Sequence, residues 1–456
     1  MDDVRVLRGL SYRRDMPSDL VRARAGAFDI QPASSLRPIP VLEGIWMSPG
    51  LSNTYCVQTG DGRVVINAGM GFEAAHHRRL YDEVAAGPTR FILLTQGHVD
   101  HVGGVDHFRE PGTLLIAQAH NPACQADDRR IHRFRVKRSM PYWADAVAKA
   151  DRFIKSQPPD SHLPAQSVPA PDLLFTDRYL FDTGGVRFEL ISTPGGETID
   201  STVIWLPDRG VAFVGNVFSA LIGHVPNLVT LRADRLRFAL PFIDAVQTVI
   251  DLGVEVLCVG HGPPVYGPDV VRAELERVRD GVQWLHDAVV EGMNAGRTVH
   301  ELMRDLRLPD HLSLGEGYGK VSWDVRAIWE GYAGWFHARA TTELYAVEPM
   351  FAAGDLIALA GGVTAVVAAA RQHIERGDPL RALGLLEPAL AAEPDDRDAL
   401  VAFVAAHELL IEQHRVEHAD DFENFWLTGW LRHQVTSTRQ RLGDLEVPDS
   451  DHDRHR

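Results

Sequence analysis

Two different hydrophobic rhythms divide this chain. Up to about residue 260, short apolar runs alternate with turn residues. Gly44-Ile45-Trp46-Met47 and Thr54-Tyr55-Cys56-Val57-Gln58-Thr59 read as strands, Gly60-Asp61-Gly62 as a turn, and Arg63-Val64-Val65-Ile66-Asn67 as a buried strand. Residues 71–86 have the spacing of an amphipathic helix. Phe91-Ile92-Leu93-Leu94-Thr95 is a continuous apolar run that ends at a histidine-rich stretch. The order is strand, helix, strand, with polar chemistry at the carboxyl end of the second strand, where α/β sheets bind ligands. Residues 121–160 are charged and predicted helical, an insertion over that end. Strands resume at 178–181, 186–191, 201–206, 211–214 and 254–259, with Asp208-Arg209-Gly210 as a hairpin turn.

After about residue 268 the period lengthens. Helices are predicted over 270–295, 299–306, 323–339, 354–377, 380–393, 396–415 and 422–440. The fold expected is α/β followed by an all-α half. Its divisions are an N-terminal surface arm (1–38), an α/β domain (39–270), a helical domain (271–440) and a disordered tail (441–456).

Composition narrows the picture. A chain of 456 residues is too long for one core and favours two or three domains. Its net charge of −16 argues against a nucleic-acid partner. Cys56, Cys124 and Cys258 are distant from one another and form no CxxC pair, so they are expected to be free thiols in a reducing compartment. The start, Met1-Asp2-Asp3-Val4-Arg5, has no signal-peptide pattern. No run reaches the ~18 apolar residues of a spanning helix. A cytoplasmic protein with no membrane partner is the expectation.

The chemistry centres on Gln96-Gly97-His98-Val99-Asp100-His101. Imidazole and carboxylate are ligands for zinc and iron. Adjacent Asp100 and His101 would splay apart on a strand or helix, but in a tight loop they can serve one ion. Pro194-Gly195-Gly196-Glu197 and Gly260-His261-Gly262 are two further loops after apolar strands, each offering a ligand type. Elsewhere, His76-His77 is expected to be solvated, because adjacent helical residues do not face one point. His107 is expected in the core or on the surface without a ligand. Trp323, Trp329, Trp335 and Phe336 recur at helical spacing and are expected to pack helices.

Thr95-Gln96-Gly97-His98-Val99-Asp100-His101-Val102-Gly103-Gly104 resembles the T-H-x-H-x-D-H-x-G-G signature of the metallo-β-lactamase superfamily. Other stretches resemble its alkyl sulfatase (linear primary alkylsulfatase) branch. These are Leu51-Ser52-Asn53, Pro194-Gly195-Gly196-Glu197, Asn227-Leu228-Val229-Thr230-Leu231-Arg232, Tyr318-Gly319-Lys320-Val321-Ser322, Ala333-Gly334-Trp335-Phe336 and Asn424-Phe425-Trp426-Leu427-Thr428-Gly429. The resemblance runs from about residue 40 to 435. It implies an αββα sandwich, a helical dimerisation domain and a homodimer. The branch's third, sterol-carrier-like domain is not expected, because the chain ends first.

The resemblance also implies a binuclear zinc hydrolase. The second ion's set would be Asp100, His101 and His261. The first ion's set would retain His98 and Glu197 but carries Gln96 where a histidine is expected, and Asn216 falls where a bridging glutamate belongs. An amide is a weak ligand beside imidazole or carboxylate. Asn67 stands where an aspartate usually supports the histidines. Three readings follow. In the leading one, one or two zinc ions, with iron or manganese as alternatives, activate water against a small anionic ester of the alkyl sulfate type. Arg232 would hold its anionic group, Asn227 would orient it, and His224 would be a candidate acid or base beside Asp100. The second reading is an iron-dependent oxidoreductase or lyase, and the third a degenerate dimeric binding scaffold.

Overall fold

Apolar runs of two to seven residues, rich in β-branched and aromatic side chains, build the first part of the computed structural model into two facing sheets. The structure describes residues 19–24, 26–158, 163–228, 231–235, 237–417 and 422–445. The first sheet has the spatial order β1 (Ile39–Leu42), β2 (Ile45–Ser48), β3 (Thr54–Thr59), β4 (Gly62–Ile66), β5 (Thr89–Leu93), β6 (Leu114–Gln118) and β7 (Leu173–Phe175). Its first four strands run antiparallel, and β4 to β7 run parallel. The second sheet contains β8 (Arg178–Thr183), β9 (Val186–Ser192), β10 (Thr202–Leu206), β11 (Val211–Gly215), β12 (Val256–Val259) and β13 (Val265–Tyr266) in spatial sequence. Only β11 and β12 are parallel within it.

Alternation along the strands sends one set of side chains between the sheets and the other outward. Val57, Val64, Ile66, Phe188, Ile204 and Phe213 fill the space between. On the outer face of the first sheet, Val65, Ile92 and Leu115 meet Tyr81 and Phe108 from helices. On the outer face of the second, Val203, Ala212 and Leu257 pack with Phe242, Val246 and Val249 of helix Ala239–Asp251. Helices on both outer faces complete the expected αββα sandwich.

The change of rhythm near residue 268 is not a unit boundary. The first compact unit ends at Tyr332 and the second begins at Ala333. Helix Pro268–Asn294 buries Val271, Leu275, Val278 and Val282 in the same core as the second sheet, so the expected break at 270/271 moves downstream. The 1–38 segment is also more than a surface arm. Leu20 joins that core, Val21 is buried, and Glu73 Oε1 accepts the Ala33 N–H at 2.8 Å; residues 1–18 lie outside the described residues.

The second unit is helical. Ile357, Val366, Leu383, Leu386, Ala402 and Ala406 form its core. The single helix expected over 354–377 is two, Ala353–Leu359 and Val363–Glu375, bent by 84°. Gly361 and Gly362 between them have φ of 93° and 92°, a conformation other residues rarely adopt. The helix expected over 323–339 spans Val321–Ala333, leaving Trp335 in a loop and 74% exposed. The last helix runs Phe425–Asp444, so the expected tail does not begin at 441, and its remainder from 446 lies outside the described residues. Among the described residues no single helix is long and apolar enough to cross a membrane.

Candidate metal centre

The carboxyl ends of β5, β9, β11 and β12 converge on one spot, each followed by a loop that carries candidate residues. After β5 the chain makes a short helical turn, Val99–Val102, and not the open loop expected, and the adjacent Asp100 and His101 on it still bring donor atoms to one spot. His101 is fully buried, and the Ser52 hydroxyl donates to the Asp100 carbonyl and anchors the turn. Gly260 lets the loop after β12 pass against Asn216, where a Cβ would fall 2.0 Å from its Oδ1. That close passage brings in His261.

Asp100 Oδ2 lies 3.6 Å from His101 Nε2 and 3.8 Å from His261 Nε2. One donor atom from each of the three residues falls within 4.8 Å of the others. These spacings suit donors sharing one ion at bonds of about 2.0–2.2 Å. Burial pushes the His101 imidazole down to about 4, so it is neutral, as a ligand must be. Burial works against the Asp100 carboxylate, but His101 and His261 prevail and hold its pKa below the ordinary range. Both ring nitrogens of His101, and Nδ1 of His261, are buried without a hydrogen-bond partner among the described residues. Orphaned donors of this kind fit a divalent cation.

The other half of the predicted site is arranged differently. Gln96 Nε2 is 2.9 Å from His98 Nδ1 and 2.8 Å from Glu197 Oε2. The Asn216 backbone N–H donates to Gln96 Oε1 at 3.1 Å, and the Asn216 side-chain amide faces His261 Nε2 at 3.2 Å. Asn67, at φ 56°, bonds the Thr95 backbone N–H through Oδ1 at 3.0 Å, so it secures the strand exit rather than a histidine.

Apart from Arg232, sequence reasoning passed over a ring of charges here. Asp234 Oδ2 lies 3.2 Å from His98 Nε2, 3.2 Å from Arg237 and 3.4 Å from Arg232, while Oδ1 lies 3.0 Å from Arg135. Arg237 also reaches Glu197 Oε1 at 3.3 Å. Burial opposes the charge on Glu197, but Arg237 and His98 hold it well below the usual carboxylate range. Nothing in the pattern around Ala233-Asp234-Arg235 separates these residues from a solvated charged loop. Only the fold, which brings that loop over Glu197, identifies them.

Arg232, Asp100, His98, Asn216, His261 and Tyr318 line one cavity of about 410 Å³. Helix His132–Ser156, the predicted insertion, supplies Val136, Trp143 and Val147 to its apolar wall. A second cavity of about 570 Å³ shares His98, Arg135 and Glu197 with the first.

Two predicted residues are not brought to the first cavity. His224 is buried, and its Nδ1 accepts the Gly317 N–H at 3.1 Å. It clasps the loop that carries Tyr318 instead of facing the metal ligands. Asn227 is buried as well, its carbonyl accepting from Arg237 Nη1 at 3.0 Å. His77 is not solvated as expected, and His76 is only half-buried. His77 is buried with Nδ1 2.7 Å from Ser48 Oγ, and His76 meets the Ser35 carbonyl at 3.0 Å. The three cysteines are free thiols.

Residues 47–261 match the metallo-β-lactamase superfamily, and residues 298–430 match the alkyl sulfatase dimerisation family. A linear primary-alkylsulfatase of a Pseudomonas species is 28% identical over 362 residues, 75% of this chain and 67% of that protein. An (R)-specific secondary-alkylsulfatase of a Pseudomonas species is 27% identical over 391 residues, 79% of this chain and 57% of that one. The solved structure of a stereoselective inverting sec-alkylsulfatase from a Pseudomonas species aligns over 91% of this chain and 66% of that one, with a TM-score of 0.75 at 22% identity. The chain thus spans about two thirds or less of the length of these relatives.

Proposed function

We propose, for a chain that joins a metallo-β-lactamase superfamily domain to an alkyl sulfatase dimerisation domain, that it hydrolyses a small anionic ester of the alkyl sulfate type. The carrying observation is that Asp100 and His261, which cluster with the buried His101, line the same cavity as Arg232. Zinc suits this donor set, and a divalent ion held by Asp100, His101 and His261 would supply Lewis acidity and lower the pKa of an attacking water.

The chain's own residues do the rest. The Arg232 guanidinium matches a sulfate group in shape and charge, and Asp234 at 3.4 Å holds it in place. Tyr318 lines the same cavity and offers a phenolic O–H, which burial keeps protonated. The apolar wall of Phe72, Val136, Trp143 and Val147 takes the organic part and keeps water from it. Neutral His101 and ionised Asp100 are already in the protonation states that bind a cation. A homodimer through the helical part completes the reading.

The test is elemental analysis of protein purified without added metal, paired with a sulfate-release assay on alkyl sulfates of graded length. Bound zinc with sulfate release is the expected result. Iron without sulfate release would favour redox or lyase chemistry, and absence of any metal would leave a binding scaffold. Sedimentation at micromolar concentration checks the dimer, and a monomer there would remove that part of the reading.

A further inference from the structure

We propose that the side-chain amide of Gln96 stands where a second metal ion would otherwise sit, so that this chain is built to hold one ion and not two. This rests on the reading of Asp100, His101 and His261 as the occupied centre. His98 Nδ1 and Glu197 Oε2 are 3.3 Å apart. Two ligands of one tetrahedral zinc ion, each bound at about 2.0–2.1 Å, have that same spacing. Here, however, both atoms are already engaged. Gln96 Nε2 lies 2.9 Å from the histidine nitrogen and 2.8 Å from the carboxylate oxygen. The amide donates to the Glu197 carboxylate and its nitrogen packs against the His98 ring nitrogen, so it fills the space between the two.

The orientation of the amide follows from its other end. Gln96 Oε1 accepts the Asn216 backbone N–H at 3.1 Å, which turns the NH₂ group toward His98 and Glu197. On its other side, His98 Nε2 lies 3.2 Å from Asp234 Oδ2. The amide nitrogen therefore sits against both atoms that an ion at this position would use.

A neutral amide does not replace an ion's charge, and the surroundings compensate for that. Glu197 Oε1 is 3.3 Å from Arg237, a cation fixed in turn by Asp234 at 3.2 Å. A buried carboxylate left with only an amide for company would be strongly disfavoured. The guanidinium and the amide together do what the ion would do: they hold His98 and Glu197 in place and neutralise the carboxylate. Asn216 adds no anionic charge, and its one amide contact with the Asp100 centre, 3.2 Å from His261 Nε2, leaves both ring nitrogens of His101 without a hydrogen-bond partner among the described residues.

The experiment is titration of the full-length, metal-stripped chain with cobalt(II), followed by its d–d absorbance and by elemental analysis. The wild-type chain should saturate at one ion. That ion should be lost in Asp100→Ala and retained in His98→Ala. Gln96→His, which supplies a third ligand beside His98 and Glu197, should take up a second ion. Two ions in the wild type, with one lost in His98→Ala, would overturn the inference while leaving hydrolysis intact. Gln96→His remaining at one ion would overturn it as well. A wild-type chain that binds no cobalt would overturn the functional reading and this inference with it.

Discussion

Asp234 Oδ2 lies 3.2 Å from Nε2 of His98 and draws that histidine into a network of arginines. Arg135, Arg237 and Arg232 reach the same carboxylate at 3.0, 3.2 and 3.4 Å. Burial disfavours the charge on Asp234, but His98, Arg232 and Arg237 outweigh it and depress its pKa far below the carboxylate range. One acid thus sets the position of the proposed anion clamp, Arg232, and of a histidine inside a metal-ligand motif.

Asp234→Asn keeps the shape and removes the counter-charge. Breaking a buried ion pair from one side costs about 3–5 kcal/mol, and here several cations lose the same partner. Urea unfolding should shift to lower denaturant. KM for an alkyl sulfate should rise roughly tenfold as Arg232 is released, the equivalent of ~1.4 kcal/mol in binding. Ion content should be unchanged. Wild-type stability together with wild-type KM would show that Asp234 does not organise the site.

Ser52 acts on the metal centre through the backbone. Its hydroxyl donates to the Asp100 carbonyl and fixes the turn that aims the carboxylate. Loss of such support for a metal ligand typically costs about 10–100-fold in affinity or activity. Ser52→Ala should weaken zinc affinity by that factor in a chelator competition, with the circular dichroism spectrum retained. Unaltered affinity would assign Ser52 to loop structure alone.

The metal motif was legible because its residues are contiguous and chemically unusual, and the loops at Glu197 and His261 because each follows a clear apolar run. The ion-pair ring was not, because Asp234 and Arg237 are ordinary charged residues until the chain folds. Strand β6 and helix Ala239–Asp251 do carry signals in the sequence. Leu114 to Ala117 is an apolar run after Pro111-Gly112, and Phe242, Ala245, Val246, Val249 and Ile250 have helical spacing. The unit boundary was misplaced for a different reason. A switch from strands to helices marks a change of secondary structure, while the boundary depends on which core the helices cover, and Leu275 and Val278 cover the second sheet.

Arg232 differs from a generic positive charge in its planar fork. Arg232→Lys keeps the charge and loses the bidentate match to sulfate. KM for alkyl sulfates should rise about tenfold, with a smaller change in kcat and no change in bound metal. Arg232→Ala should raise KM further. Equal KM for the lysine variant and the wild type would mean that the anion is held elsewhere in the cavity.

His224 gives the most direct separation of a structural role from a catalytic one. Burial, with a smaller push from Arg24, lowers its pKa from 6.5 to about 3. The folded chain therefore keeps it neutral, with Nδ1 accepting the Gly317 N–H. The unfolded chain takes up a proton near pH 6.5, so between about pH 6.5 and 3 the unfolded state binds more protons. The associated stability is fully present above pH 6.5 and is lost as pH falls through that window, by up to a few kcal/mol. His224→Gln, whose side-chain oxygen can accept the same N–H, should lose less stability between pH 7 and pH 4 than the wild type does. The shape of the pH profile for kcat/KM should be unchanged, because the imidazole faces the 315–319 loop and not the cavity. Loss of one limb of that profile would instead make His224 an acid or base of the reaction.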